Sequence, residues 1–393
     1  MAVERSVLVP LPAVQWGGLQ TFAVNLSAGL KRAGWRWTVV VPSGAAEVQR
    51  RLRQSGVEVV SAPLLRFRRS PWLTLRTVMG LAGNVRLLAN LPEAGHATVI
   101  QAVGAHHFHG PLLARKLQKP LVWQVHSSIL PPNLRRLVSP IISARANAIM
   151  TNGRAVAKAF WRKESLGPNH FVFYAPVDTD KYAPSQETRA TARRALNCDH
   201  ETVMIGTVGN YVWQKNHGFL VEAAGQLSPL YPKVRFLIIG AVHEEYRKRY
   251  EETVKRPAAI LNQQFPEYIR FLDPGNQVAH WLQALDIFAL TSHAEGVPIA
   301  LFEAMCATKP VVSANVGSIS EIIAERQTGF LYEPGDLSTF AARLGTLLES
   351  RLSRESMGQA GRRRVLDHFS IQSIVQAHVS AYETAIATYA ARR

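Results

Sequence analysis

Cysteine is scarce in this 393-residue sequence: Cys198 and Cys306 are the whole complement. With no C-x-x-C pair and no Cys/His ligand spacing, neither a disulfide framework nor a structural zinc site is indicated, and a reducing cytoplasm fits best. Long apolar runs are also missing. No stretch is apolar for long enough to span a bilayer, and the first apolar segment is interrupted by Pro10 and Pro12, so neither a transmembrane helix nor an export signal is expected. Acidic residues are nearly missing from one region, since between Glu58 and Glu164 the sole acid is Glu93. Residues 1–180 hold 22 Lys/Arg against 7 Asp/Glu, and the other 213 residues hold 23 against 21. Almost all of the formal net charge of +17 therefore sits in the first half, which implies an anionic partner there.

Nucleic acid and an anionic membrane surface are the two candidates for that partner. Phe67, Trp72, Leu73, Leu75, Val78, Met79, Leu81, Leu87, Leu88 and Leu91 are interleaved with Arg66, Arg68, Arg69, Arg76 and Arg86. The mixture suits an amphipathic helix at a lipid interface, where apolar burial and attraction to anionic headgroups add together. A surface helix burying the same residues in its own domain explains the pattern equally well. The charge asymmetry favours the membrane.

What the sequence does contain is an ordinary globular composition, 47% apolar and 19% charged, on a chain too long for one core. Short β-branched runs alternate with helical patterns, the signature of parallel sheets wrapped by helices. Strands are expected at 6–9, 37–41, 57–60, 98–101, 121–125 and 148–151, then at 203–208, 234–239, 269–272, 287–290, 310–312 and 329–331. The expected class is α/β, with two doubly wound Rossmann-like domains. Ala175, Pro176 and Pro184 bracket a polar turn that sets the boundary, giving domains 1–175 and 176–371. A last helix, from about Ser370 to Tyr389, has no strand after it. No internal repeat or low-complexity segment is present.

The richest segment runs from Ser292 to Glu303, leaving an apolar strand and entering a helix. Pro298 suits a first helical turn, and the backbone at Gly296, Val297, Pro298 and Ile299, with the helix dipole, forms an anion site suited to a diphosphate. Glu295 lies on the loop and Glu303 inside the helix, so one carboxylate meets a ligand ahead of the helix tip and the other a ligand beside it. Carboxylates accept hydrogen bonds from hydroxyls, which makes a sugar and a ribose sensible partners.

Together with Ala304, Met305, Pro310, Val311 and Val312, these residues resemble the retaining glycosyltransferases of family 4, with two Rossmann domains of the GT-B type facing a central cleft. Gly317, Ser318, Glu321, Thr328, Gly329, Pro334, Gly335 and Asp336 extend the likeness, and Gly17 and Gly18 match its glycine pair after the first strand. Glycine there lets backbone amides approach a phosphate or sugar, although a plain tight turn explains the pair as well. His126 ends a strand where the family carries a histidine facing the donor sugar. Lys215 matches the lysine of the family's diphosphate loop, while Asn210 stands at its arginine. The departure removes one cation. The usual glycine before Lys309 is Thr308, read as a local change of turn, and Pro176 to Lys181 as structure at the linker. In such enzymes the last helix, here about 372–393, packs back on the first domain.

The resemblance implies transfer of a sugar from a nucleoside diphosphate to a glycan hydroxyl, with retention and with neither cofactor nor metal. Glu295, Lys215 and His126 are the expected catalytic set, and Gly17, Gly18, Asn210, Gly296, Val297, Pro298, Ile299 and Glu303 the expected donor-binding set. His106, His107 and His109 lack the further carboxylate or cysteine of a metal site. Arg362, Arg363 and Arg364 read as a solvated helical face. The basic first half points to a lipid-linked acceptor in cell-surface polysaccharide or lipopolysaccharide synthesis, with the protein peripheral on the inner face of the cytoplasmic membrane. A soluble acceptor is the alternative. A nicotinamide dehydrogenase is disfavoured because the loop from Pro10 to Gly18 lacks G-x-G-x-x-G. A non-catalytic nucleic-acid or membrane-binding protein accounts for the charge but leaves the Glu295 segment unexplained.

Overall fold

The computed structural model describes residues 5–65, 71–128, 130–273, 275 and 277–393, with backbone alone for 71–76. Two compact units result, Met1–Pro176 with Ile371–Arg393 and Val177–Ser370. In unit 1, strands β1 (Arg5–Pro10), β2 (Trp35–Pro42), β3 (Glu58–Ala62), β4 (Val99–Val103), β5 (Leu121–Val125), β6 (Ala148–Asn152) and β7 (His170–Phe173) pair in the order β3-β2-β1-β4-β5-β6-β7. In unit 2, β8 (Val203–Val208), β9 (Val234–Ile239), β10 (Ile269–Leu272), β11 (Ile287–Leu290), β12 (Val311–Ala314) and β13 (Gly329–Tyr332) run β10-β9-β8-β11-β12-β13. Every pairing is parallel. The doubly wound α/β class read from the sequence is therefore the observed one. Strand β7, absent from that reading, is a four-residue edge strand too short to show a period.

Parallel strands are covered on both faces, so their sequences are nearly continuous in apolar residues rather than alternating. Strands β4, β5 and β6 are buried at every position. Two glutamines break the pattern in the centre of unit 1, and both are fully buried. The last helix, Ile371–Ala391, satisfies them. Tyr382 donates its phenol proton to Gln101 Oε1 at 2.6 Å, and Gln101 Nε2 donates to Gln124 Oε1 at 2.6 Å. Gln124 Nε2 lies 3.1 Å from His378 Nε2, and His378 Nδ1 lies 2.8 Å from the Ile374 carbonyl. Since a carbonyl only accepts, Nδ1 of His378 carries the proton and Nε2 receives the Gln124 amide. Buried polar groups are costly unless paired, so this chain of bonds ties the last helix to the first-half sheet.

The helix Gly18–Arg32 packs on the same helix: at Gly29 a Cβ would collide with the Val375 side chain. Its own inward face carries Phe22, Leu26 and Leu30 at helical spacing, and Lys31 and Arg32 close its last turn, where cations suit the dipole.

The basic amphipathic stretch divides in two. Arg66, Phe67, Arg68 and Arg69 lie outside the described residues, as do the side chains of Trp72, Leu73, Leu75 and Arg76. In the remainder of helix Pro71–Ala89, Val85 and Leu88 are buried in the core, while Val78, Met79 and Leu87 are exposed beside exposed Arg86. A second helix not singled out in the sequence, Pro132–Arg145, exposes Leu134, Leu137 and Ile141 next to Arg136 and Arg145. Among the described residues no helix is long and apolar enough to cross a membrane.

Replacing Tyr382 with Phe leaves Gln101 Oε1 buried without its donor. The expected loss is about 1–3 kcal/mol of stability, read as a lower urea midpoint at unchanged slope.

Candidate active site

Parallel strands all end on one edge of their sheet, and where the strand order reverses the two flanking loops diverge and leave a crevice. In unit 2 the reversal lies between β8 and β11. The loop after β8 carries Asn210 and Lys215; the loop after β11 carries Ser292, Glu295 and Gly296. The Lys215 ammonium donates to Glu295 Oε1 at 2.7 Å, and the Ser292 hydroxyl donates to the same oxygen at 2.7 Å. The pair is largely enclosed, with about a fifth of Lys215 and an eighth of Glu295 exposed.

Several backbone contacts fix these loops. Thr291 Oγ1 donates to the carbonyls of Lys215 and Asn216 at 3.0 and 3.1 Å, and the His293 amide donates to the Gln214 carbonyl at 2.8 Å. The Lys215 stem lies over Gly209, whose Cβ would sit 3.1 Å from the lysine Cε. On the far side, Gly317 adopts φ +58, and a Cβ there would collide with the Glu295 carbonyl oxygen. Glycine is required at 317 on both counts. Asn210 does not point its amide at open space; its Nδ2 lies 3.0 Å from His243 Nε2.

The helix Ile299–Cys306 begins immediately after Pro298, which is its N-cap. The expected row of donors is shorter than the sequence suggested, because Pro298 has no N–H; the Gly296 carbonyl, an acceptor, takes the Ser318 amide at 3.1 Å. From Leu301 to Cys306 the helix is buried on every side. Glu303 therefore lies inside the fold, 6% exposed, where burial raises its pKa. Its partner is Tyr182, whose phenol donates to Glu303 Oε1 at 2.7 Å. Tyr182 was not singled out in the sequence; it directly follows the linker motif read as merely structural.

Thr308, in the turn before Lys309, adopts the left-handed conformation, φ +58, which favours glycine. One further reading needs correction. Arg362 and Arg364 are not a solvated face. Arg362 donates to the carbonyls of Cys306 and Thr179, and Arg364 to those of Ile322 and Glu321, satisfying carbonyls at and beside helix ends. A cavity of about 660 Å³, lined by Trp213, His217, Tyr246, Tyr250 and Ile260, borders the Lys215 loop, but Lys215, Glu295 and Glu303 do not line it.

In unit 1 the reversal lies between β1 and β4. Gly17 and Gly18 follow β1 and start the first helix. Neither glycine is demanded by the chain itself, since Gly17 has an extended φ of −169 and a Cβ at Gly18 would meet nothing within 4 Å. His126 follows β5 and is boxed edge-on by Phe22 and Phe173 at 5.4 and 5.3 Å. Its Nε2 is buried without a hydrogen-bond partner, and burial, with the neighbouring His378, pulls its pKa to about 3. His126 is thus a neutral imidazole with a free ring nitrogen. The His106 and His107 rings lie tilted by 46° with centroids 4.0 Å apart, and His109 is buried. Among the described residues no three His, Cys, Asp or Glu side chains gather as a metal site.

Comparison with known proteins gives a consistent picture. The family model described as glycosyltransferase family 4 matches residues 16–181, and that described as glycosyl transferases group 1 matches residues 188–364. A GDP-mannose-dependent alpha-(1-6)-phosphatidylinositol monomannoside mannosyltransferase of Mycolicibacterium smegmatis is 26% identical over 90% of this chain and 91% of its own length. The lipopolysaccharide core biosynthesis mannosyltransferase LpsB of Rhizobium meliloti is 23% identical over 55% of this chain and 61% of its own. The chain spans about half to three fifths of the length of several curated relatives it matches. The crystal structure of Anabaena Alr3699/HepE in complex with UDP shares the fold, with TM-score 0.79 and 19% identity over 97% of this chain and all of that one.

The buried imidazoles set a pH dependence. Burial holds His126 and His217 near pKa 3 and His378 near 4, against 6.5 when unfolded. Below pH 6.5 the unfolded chain binds more protons than the folded one, so stability present above 6.5 is lost as pH falls toward 4. Glu303, with its raised pKa, works in the opposite sense but is outnumbered. The urea midpoint is expected to fall steadily from pH 7 to pH 5; a flat profile contradicts neutral burial of these rings.

Proposed function

The chain belongs to the glycosyltransferases, with a family 4 first half and a group 1 second half, and on that premise we propose a specific reaction: it moves a sugar from a nucleoside diphosphate to a glycan hydroxyl with retention of configuration. The observation that carries this reading is the Lys215–Glu295 pair, held at the strand-order reversal of unit 2 beside the start of helix Ile299–Cys306. The ammonium is the group that meets the diphosphate. When a donor arrives, Lys215 exchanges Glu295 for a phosphate oxygen, and Glu295 turns to the sugar hydroxyls. Glu303 receives the ribose hydroxyls, and in unit 1 the neutral His126, with Nε2 unpaired, is a hydrogen-bonding group suited to a sugar hydroxyl.

In the reaction the bond from the anomeric carbon to the diphosphate breaks as the acceptor oxygen closes on the same face. The acceptor proton passes to the departing phosphate oxygen, so no protein nucleophile and no metal is used. Negative charge grows on the diphosphate, and Lys215 with the amides at the helix start offsets it. With Asn210 in place of a second cation, Lys215 carries most of that task. GDP and UDP donors are favoured, because a mannosyltransferase relative uses GDP-mannose and a structural neighbour binds UDP.

The acceptor in this reading is a lipid-linked glycan of cell-surface polysaccharide or lipopolysaccharide synthesis. It rests on the basic first half, on exposed apolar residues beside arginines in helices Pro71–Ala89 and Pro132–Arg145, and on relatives named for such products. The protein would then work on an anionic cytoplasmic membrane surface.

A thermal-shift and hydrolysis screen of UDP, GDP, ADP and dTDP sugars tests the donor, with one nucleotide class expected to raise Tm and to be turned over in the presence of EDTA. Lys215→Ala and Glu295→Ala are each expected to lower kcat/KM about 100-fold or more. Unchanged activity in both variants rules the assignment out. Vesicles containing anionic lipid are expected to co-sediment the protein where neutral ones do not, and a Leu134→Ser, Leu137→Ser double variant to weaken that binding; equal sedimentation with both vesicle types removes the membrane from the proposal.

A further inference from the structure

Glu303 is a carboxylate in an unusual position for a ligand-binding group. It lies on a helix buried on every side, and among the described residues no Lys, Arg or His forms an ion pair with it. Lys181 and Lys215 act on it only at longer range, while Cys306 lies one helical turn further on and Asp178 acts on Cys306. From the helix Arg351–His368, Arg362 reaches the Cys306 and Thr179 carbonyls rather than Glu303. An isolated carboxylate in such a place tends to take up a proton, and a protonated carboxyl loses acceptor capacity.

Besides the two distant lysines, one side chain in direct contact opposes this more strongly. Tyr182 is 4% exposed, its own proton is held firmly by burial, and it donates to Glu303 Oε1 at 2.7 Å. The bond has three effects on the carboxylate. It favours the ionised form, it fixes the rotamer, and it occupies one oxygen. Oε2 then has no protein partner among the described residues and is not sealed from solvent.

We infer that Tyr182 is the positioning residue of the nucleotide site, presenting Glu303 Oε2 as an ionised acceptor to the vicinal hydroxyls of the donor ribose. The inference rests on the assignment of Glu303 to the ribose made above and adds what makes that assignment workable. Tyr182 contributes no bond to the nucleotide itself. It selects for ribose over a sugar lacking those hydroxyls, because the free oxygen gains nothing from a ligand that cannot donate to it. The Tyr182 bond lowers the Glu303 pKa against the raising effect of burial, so its loss moves that pKa further up.

The test compares UDP and GDP with their 2′,3′-dideoxy analogues by calorimetry from pH 5.5 to 8.5, on the full chain and on Tyr182→Phe, which removes a single hydroxyl. The full chain is expected to prefer the ribonucleotide about tenfold or more at pH 8, with the preference shrinking as pH falls. In Tyr182→Phe the preference is expected to drop several-fold at pH 8 and its decline to begin at higher pH, while the dideoxy analogue binds as before. Unchanged dideoxy binding also reports that the site is folded. A Tyr182→Phe protein with the same preference and the same pH midpoint overturns the inference. Glu303→Gln separates the two levels: if it too retains the ribose preference, Glu303 does not read the ribose, and the inference falls with that assignment rather than alone.

Discussion

Strand direction is the constraint on which the rest depends. Because every strand in both sheets runs parallel to its neighbours, each sheet delivers all its carboxyl-end loops to one edge, and the reversal of strand order opens a crevice between two of them. Lys215 and Glu295 stand eighty positions apart in sequence, on loops following β8 and β11. They meet because those strands are adjacent, and adjacency follows from the winding. The close approach of Gly317 to the Glu295 carbonyl and of the Lys215 stem to Gly209 shows how little room the crevice leaves for altered backbone.

Burial of titratable groups is the second theme. His126, His217 and His378 are kept neutral by desolvation, and Lys309 is drawn down to about 7 while its ammonium donates to the Gln283 and Leu285 carbonyls. The three imidazoles cost stability when charged, which restricts the fold to pH at which they stay neutral. The same desolvation would serve the diphosphate site proposed above, since cations and amides act more strongly where water is excluded. Glu303 is a further buried titratable group, its pKa raised by burial and opposed by the Tyr182 phenol at 2.7 Å.

Charge and apolar exposure coincide in unit 1. Among the described residues, the helices Pro71–Ala89 and Pro132–Arg145 each turn three large apolar residues outward beside arginine. Evenly scattered apolar exposure is ordinary; triplets confined to basic helices are not.

The sequence alone determined the α/β class, the strand positions apart from β7, and the segment around Glu295, because strand periodicity and helix-start chemistry are local and survive in a linear reading. Tertiary structure decided the rest. That Tyr182 serves Glu303 depends on a contact spanning 121 positions, that Arg362 and Arg364 cap carbonyls depends on how helices end against one another, and that the last helix completes the first sheet depends on Gln101 and Gln124 needing Tyr382 and His378. None of these has a sequence period. Each is a polar group that burial obliges to find a partner, and only the folded chain decides which partner is within reach.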